Sequence, residues 1–453
     1  MINPAALRPI PINIGSLPSV DRQANNPRLV NAFVNRNDEL QLLPNIALSR
    51  SLVGLRGILK SAYRERYILV TFNEVYYQEY RALIKVGEII HSFNPIRLEE
   101  NLQFQVTIVN GTGAWVFSQL TDSFAKLDSS NGFDLDNPTD VTVLDTFTII
   151  TGGTDRKWIV SDANNALLYS ANEVIEGDTK VGDLNGVRAL NNNLFIFGEG
   201  AVQRWVPSIE RVPNSFPFTQ DPSYRNEFGC ISTASLVSDK NEIYYLSENG
   251  QIQRMSSSGY QIVSHDGISN LINGYTDKAK AFGSYYYWKG YYFYQLTFAE
   301  TGAAWVYSSA IQKWCESETF ILNFDDFAVL NDGLYQFTDD YSDSFHEVVI
   351  QTPYIDFSAN NMQSRSTINA VLLQLTQGKS NFSNTQICDL QLSKDNLLYG
   401  NRVRRKLAPI AKRLRQLWWF MNYTNTGFSL RFTLQLKDDL TIKKAQFSIA
   451  TEE

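Results

Sequence analysis

The sequence predicts an all-β protein, a β-propeller of six or seven four-stranded blades with an extended N-terminal arm and a C-terminal β-sandwich-like domain. Three observations predict it. Nine of the thirteen residues from Phe282 to Tyr294 are aromatic, and breaks at Lys289-Gly290, Glu300-Thr301-Gly302 and Ser308-Ser309-Ala310 divide residues 279–318 into four short strands. Aromatic and β-branched residues fit a pleated, half-buried surface, and a short Gly-containing break returns the chain antiparallel. Units of this kind then recur, starting near 57, 103, 140, 187, 231, 279 and 326, at steps of roughly 37 to 48 residues, which is the spacing of four-stranded blades. Finally, a chain that is 13% aromatic and 43% hydrophobic, with Asn, Ser and Gly clusters at turn-like intervals, is folded and strand-rich.

Residues 1–50 are the predicted arm. They are rich in Pro and Asn, with apolar positions scattered as Leu17, Leu29, Phe33, Val34, Leu40 and Leu42, a pattern that suits an extended segment packing on another domain or on a neighbouring subunit.

Residues 51–345 are the predicted propeller. Its units are punctuated by Asn73-Glu74, Asn110-Gly111-Thr112-Gly113, Gly152-Gly153, Asn191-Asn192-Asn193, Glu248-Asn249-Gly250 and Asn331-Asp332-Gly333. A single meander is too small to cover its own faces, whereas radial stacking buries each blade against its neighbours. The last unit is incomplete, and we expect its strands to finish the first blade. The alternative architecture is a β-sandwich or a string of small β-domains.

Residues 346–453 lose the blade period. Strands are predicted at Val371–Leu375, Ile387–Ser393, Phe428–Leu436 and Ile442–Ile449. Within this platform, residues 401–416 carry seven cations and no acid, directly before Leu417-Trp418-Trp419-Phe420. Arg402, Arg404, Arg405, Lys412, Arg413, Arg415, Trp418 and Trp419 are therefore the candidate interface residues. Cations beside aromatics suit a nucleic-acid backbone and its bases; Arg and Trp are also enriched where proteins bind one another. The net charge of −7 favours the protein contact, because nucleic-acid coating needs many Lys and Arg.

Three separated cysteines, Cys230, Cys315 and Cys388, make no disulfide framework and fit folding in a reducing compartment. The N-terminus lacks the basic-then-apolar order of a signal peptide, and no apolar run approaches the roughly 20 residues of a membrane helix.

Catalytic chemistry finds little support. His91, His265 and His346 lie on different units, and His346-Glu347-Val348-Val349-Ile350 lacks the second His of a zinc-protease helix. The stretch from Asp134 to Asp140 departs from a calcium loop at Pro138 and reads as a solvated turn between blades. Asp325-Asp326 and Asp339-Asp340 could serve glycoside cleavage, but adjacent strand residues point to opposite faces, so turn or edge roles are expected. No enzymatic activity, metal or cofactor is expected.

With these residues in view, the chain resembles the tail-hub or nozzle proteins of short-tailed bacteriophages, also known as packaged-DNA stabilisation proteins. The likeness runs nearly end to end. It rests on Leu17-Pro18, Leu29 to Phe33 and Leu43-Pro44-Asn45-Ile46, on Leu194 to Gly198 with Val202 to Trp205, and on Gly229-Cys230-Ile231. Gly250-Gln251-Ile252 with residues 268–275, Val306-Tyr307, Gln312 to Cys315, the basic segment and Phe428 to Phe432 extend it. The resemblance implies a structural virion protein forming a homohexameric ring below portal and adaptor, a conduit through which genomic DNA passes non-specifically. It also implies partners in the adaptor, a tail needle or plug, and a tailspike or fibre, with assembly in the host cytoplasm and no integral membrane association. The alternative function is a glycan-binding or glycan-cleaving propeller acting at the host surface.

Overall fold

The computed structural model describes residues 7–451 except 20–25, 154–155, 171–174, 177–180, 209–215, 225, 240, 257–258, 342–345, 358–364, 378–385, 396, 408–413 and 438. Seven sheets built as antiparallel meanders follow one another along the chain. Blades 1 to 6 span residues 55–88, 97–126, 138–176, 184–220, 237–262 and 282–316. Blade 7 takes three strands from residues 323–338 and its fourth, Asn45–Ser51, from the N-terminal segment.

The aromatic run forms the first hairpin of blade 6, Phe282–Trp288 paired with Tyr291–Phe298. Its turn residues Lys289 and Gly290 both have positive φ, 47° and 88°, as the tightest hairpin turn requires. Blade stacking accounts for most of the apolar residues. Clusters lie between blades 1 and 2 around Ile68 and Val106, between 2 and 3 around Val116 and Ile150, and between 3 and 4 around Trp158 and Ile196. Phe197 with Tyr245 joins blades 4 and 5, and Tyr244 with Tyr294 joins 5 and 6. Tyr286 packs on Phe324 and Phe337 between blades 6 and 7, and Leu69 on Val329 closes 7 onto 1. Each blade therefore buries both faces, and the ring is complete with seven blades.

The closing contact differs from expectation. The last unit does not finish the first blade, which owns all four of its strands. Instead Asn45–Ser51 pairs with Gly333–Thr338, so a strand from before blade 1 completes blade 7. A ring closed by a strand from before blade 1 on strands from after blade 6 is held by backbone hydrogen bonds as well as by packing.

Innermost strands of blades 1, 3 and 4 share a register shift near their starts, at Leu55/Gly57, Pro138/Asp140 and Leu184/Gly186. The extra residue bends the strand inward. Gly186 cannot be replaced freely, because an added Cβ would lie 2.4 Å from Leu236 Cδ2 and 2.9 Å from Asp140 Oδ2.

The C-terminal unit is a β-sandwich. One sheet has the order Ala32–Val34, Leu40–Leu42, Leu440–Thr451, Ser366–Gln377, Leu414–Asn425, with Leu7–Ile10 also on Leu440–Thr451. The other continues from the outer strand of blade 6, Lys313–Glu316, through Arg28–Val30, His346–Gln351, Gly427–Leu436 and Ile387–Ser393 to Val403–Lys406. Phe428, Leu430, Phe432 and Leu434 alternate along one face of their strand, and Phe428 meets Phe447 of the opposite sheet with ring centroids 5.2 Å apart. The N-terminal residues Leu29, Phe33, Val34, Leu40 and Leu42 are each at most 2% exposed in this same core. The helix Asp266–Asn273, capped at its start by His265, is the one α-helix among the described residues.

Candidate functional site

Two regions gather polar side chains in ways that packing does not demand: the propeller axis and the free edge of the sandwich.

On the axis, the register shift of blade 3 puts Asp140 where blades 1 and 4 have glycine. Its carboxylate is fully buried and accepts hydrogen bonds from the Val141 and Val187 backbone N–H groups, both at 3.0 Å, and from Arg188 Nη1 at 2.6 Å. Arg188 also donates to the carbonyls of Val187 and Leu236. Arg97 of blade 2 lies 3.6 Å from Asp140 and donates to the carbonyls of Thr233 and Leu236. Burial weakens the Arg97 charge and lowers its pKa to about 10, with Arg188 adding repulsion and Asp140 opposing both. Two guanidinium groups around one carboxylate thus tie blades 2, 3, 4 and 5 together across the centre. A charge taken out of water is stable only when paired and hydrogen-bonded; Asp140 and Arg188 meet both conditions, while Arg97 keeps an unpartnered Nε.

Next to this cluster opens a cavity of about 410 Å³ that residues from all seven blades line. Glu99 projects along it, and burial pushes its carboxyl up to about 7, with Asp140 and Asp325 adding to the rise and Arg188 and Arg97 opposing it. Asp325 accepts a hydrogen bond from the Lys60 backbone N–H, and Asp326 pairs with Lys60 Nζ at 2.5 Å. Tyr285, Tyr287 and Tyr292 form the wall contributed by blade 6. The Tyr285 and Tyr292 rings are stacked at 5.7 Å, and Tyr287 and Tyr292 are 57% and 50% exposed. The aromatic run is thus divided: Tyr286, Phe293 and Tyr294 are core, while Tyr287 and Tyr292 face solvent.

At the sandwich edge, Arg402, Arg404 and Arg405 lie on or beside the edge strand Val403–Lys406, and Arg415, Trp418 and Trp419 lie on the edge strand Leu414–Asn425 of the facing sheet. Lys412 and Arg413 fall outside the described residues. The predicted set is only partly a surface. Trp419 is fully buried, donates Nε1–H to the Val403 carbonyl at 2.8 Å and packs on Phe432; it is a core residue that joins the two sheets. Arg404 grips the buried Asp389 with two hydrogen bonds of 2.9 and 3.0 Å, and Arg405 donates to the Trp418 carbonyl at 2.9 Å. The outward residues are Arg402, Arg404, half-buried Trp418 and Phe420, which is 67% exposed and stacked on Trp418 with an interplanar angle of 7°.

The other sequence candidates resolve into structural roles. His346 donates Nε2–H to the Asn31 carbonyl and its ring lies tilted against Tyr341, while His91 stacks on Phe72. Asp134 and Asp136 are exposed turn residues, but Asp140 is not solvated as expected; it is the buried centre of the axial cluster. No group of three metal-ligating side chains occurs among the described residues. The inward Glu99 and Arg97 were missed altogether, for want of a local signal at Arg97-Leu98-Glu99-Glu100.

No curated protein matches the chain. Solved structures of similar outline include the extracellular domain of BT4673 from B. thetaiotaomicron, at 10% identity and TM-score 0.44 over 88% of this chain, of which the chain spans 62%. BamB from Moraxella catarrhalis is also similar, at 10% identity and TM-score 0.39, over 76% of this chain and 97% of that one. The family described as bacteriophage P22 Gp10, beta-propeller, a family of phage stabilisation proteins, matches residues 61–320, from the first blade through the sixth. The chain is a member of that family, the phage-stabilising β-propellers.

Proposed function

We propose that this phage structural protein forms the tail hub, or nozzle, of a short-tailed phage. Six copies assemble into a ring that docks on the portal and adaptor, retains the packaged genome, and carries a needle with spikes or fibres. The observation that carries this reading is the buried ion cluster that stands on the propeller axis. A B-DNA duplex, whose major groove alone is about 12 Å wide, does not fit a cavity of about 410 Å³ floored by Arg97, Asp140 and Arg188. A conduit therefore lies between copies of the chain rather than within one. A ring of that kind needs two different complementary surfaces on each subunit. Charge supplies a contrast: residues 346–453 carry 14 Lys and Arg against 8 Asp and Glu, while residues 1–345 carry 26 against 39.

The test is electron microscopy of the purified protein and of virions carrying Arg402→Glu with Phe420→Ala. These residues are exposed, so the fold should persist while ring formation and infectious yield fall. Reversing Arg404 is a poorer test, because it would set a second carboxylate against Asp389. A protein that remains monomeric alone and with adaptor, or a double variant with normal ring and yield, would refute the assignment of this edge to ring contact.

A further inference from the structure

The axial cavity has the composition of a small-ligand site, which the tail-hub reading neither needs nor explains. Its volume of about 410 Å³ falls in the range of about 300–1,000 Å³ found for small-molecule pockets. Its charges are largely matched inside the protein. Asp140 is neutralised by Arg188 and Asp326 by Lys60, and Arg97 stands two residues from Glu99 on the same face of their strand. A multiply charged ligand would find little net charge to attract it, and phosphate would meet Asp325 and Asp326 on the wall.

Two features remain unused by the fold. The Glu99 side chain, half-buried on the cavity wall, makes no hydrogen bond among the described residues, so its carboxyl is open to a ligand that enters the cavity. Tyr287 and Tyr292 expose about half their surface on the same cavity wall, and Tyr292 is held flat by stacking on Tyr285. An aromatic ring matches the apolar C–H face of a pyranose, and a carboxyl group, which bonds hydroxyls whether protonated or ionised, with a fixed guanidinium beside it matches the hydroxyls on its edge.

We propose that the axial cavity binds a neutral pyranose, the end or a side residue of a glycan, with its ring face on Tyr292 and its hydroxyls on Glu99 and Arg97. The site is one of binding and not of cleavage. The carboxylates of Asp325 and Asp326 are both held by Lys60, through its backbone N–H and its Nζ, so the proposal is confined to binding.

Saturation-transfer NMR on the full-length protein tests this, with the methyl glycosides of glucose, galactose, mannose, rhamnose and N-acetylglucosamine as probes. We expect transfer to at least one glycoside, strongest at the protons of one ring face, and at least a tenfold loss of affinity in both Tyr292→Ala and Glu99→Gln. Both variants should keep the wild-type circular dichroism. Absence of transfer from all five glycosides overturns the proposal, as does transfer that survives both substitutions. Ring assembly is independent of either result, so failure here leaves the tail-hub reading intact.

Discussion

Arg188 of blade 4 and Asp140 of blade 3 form an ion pair of 2.6 Å at the centre of the propeller, with residue exposures of 5% and 0%. Removing one partner from a buried pair leaves an uncompensated charge, at a cost of about 3–5 kcal/mol. Asp140→Ala leaves two, on Arg188 and Arg97. We expect a marked fall in the urea midpoint for that variant, and a smaller one for Asp140→Leu combined with Arg188→Met, in which no charge of the pair is stranded. Equal midpoints for the two variants would count against this account.

The Glu99 carboxyl is neutral in the fold up to about pH 7, against 4.5 for its ordinary value, chiefly because of burial. The folded state thus holds a proton that the unfolded state releases, and stability falls as pH rises from about 4.5 to about 7, then levels. The open cavity limits the size of the effect, to the order of 2 kcal/mol. Glu99→Gln should flatten that slope and raise the melting temperature at pH 8. Thermal melts between pH 5 and 8 measure both.

The strand that closes blade 7 is clamped by Gly333, where an added Cβ would lie 2.2 Å from the Arg50 carbonyl oxygen. Overpacking of this kind costs about 1–3 kcal/mol. Gly333→Val should loosen residues 45–51 first. Trypsin should then cleave after Arg50 faster than in the parent protein, while cleavage elsewhere stays slow.

Trp419 and Phe420 are neighbours with opposite roles. Trp419→Ala should cost about 3–5 kcal/mol, as for a large core side chain. Phe420→Ala should change stability by no more than about 0.5 kcal/mol yet weaken ring assembly. Chemical denaturation and sedimentation velocity on the two variants separate the effects.

The blades were legible in the sequence because each is a local object. The alternation of buried residues, the Asn-Gly and Lys-Gly turns and the repeat length all lie within about forty residues, and the strands of blade 6 fall close to where those signals place them. The sandwich strands Ile387–Ser393 and Gly427–Leu436 were legible for the same reason. What was not legible depends on partners far away in sequence. Asn45–Ser51 looks like any short strand until Gly333–Thr338 is beside it. Asp140 reads as a turn acid next to Asn137-Pro138, and only the approach of Arg188 and Arg97 makes it a buried ion. The Trp418-Trp419 pair shows the limit most simply, since alternation along a strand guarantees that the two point to opposite faces but not which one faces the core.

The borrowed strand of blade 7 also sets a timetable. Asn45–Ser51 is synthesised near the start of the chain, while its partner Gly333–Thr338 follows almost three hundred residues later. At about 5–20 residues per second, the first-made strand waits on the order of a quarter of a minute to a minute before its site exists. The sandwich strands Leu7–Ile10 and Leu40–Leu42 wait longer still, for Leu440–Thr451. The strand Asn45–Ser51 therefore stays without its partner beside growing, edge-exposed blades, and the ring locks only once Gly333–Thr338 has been made.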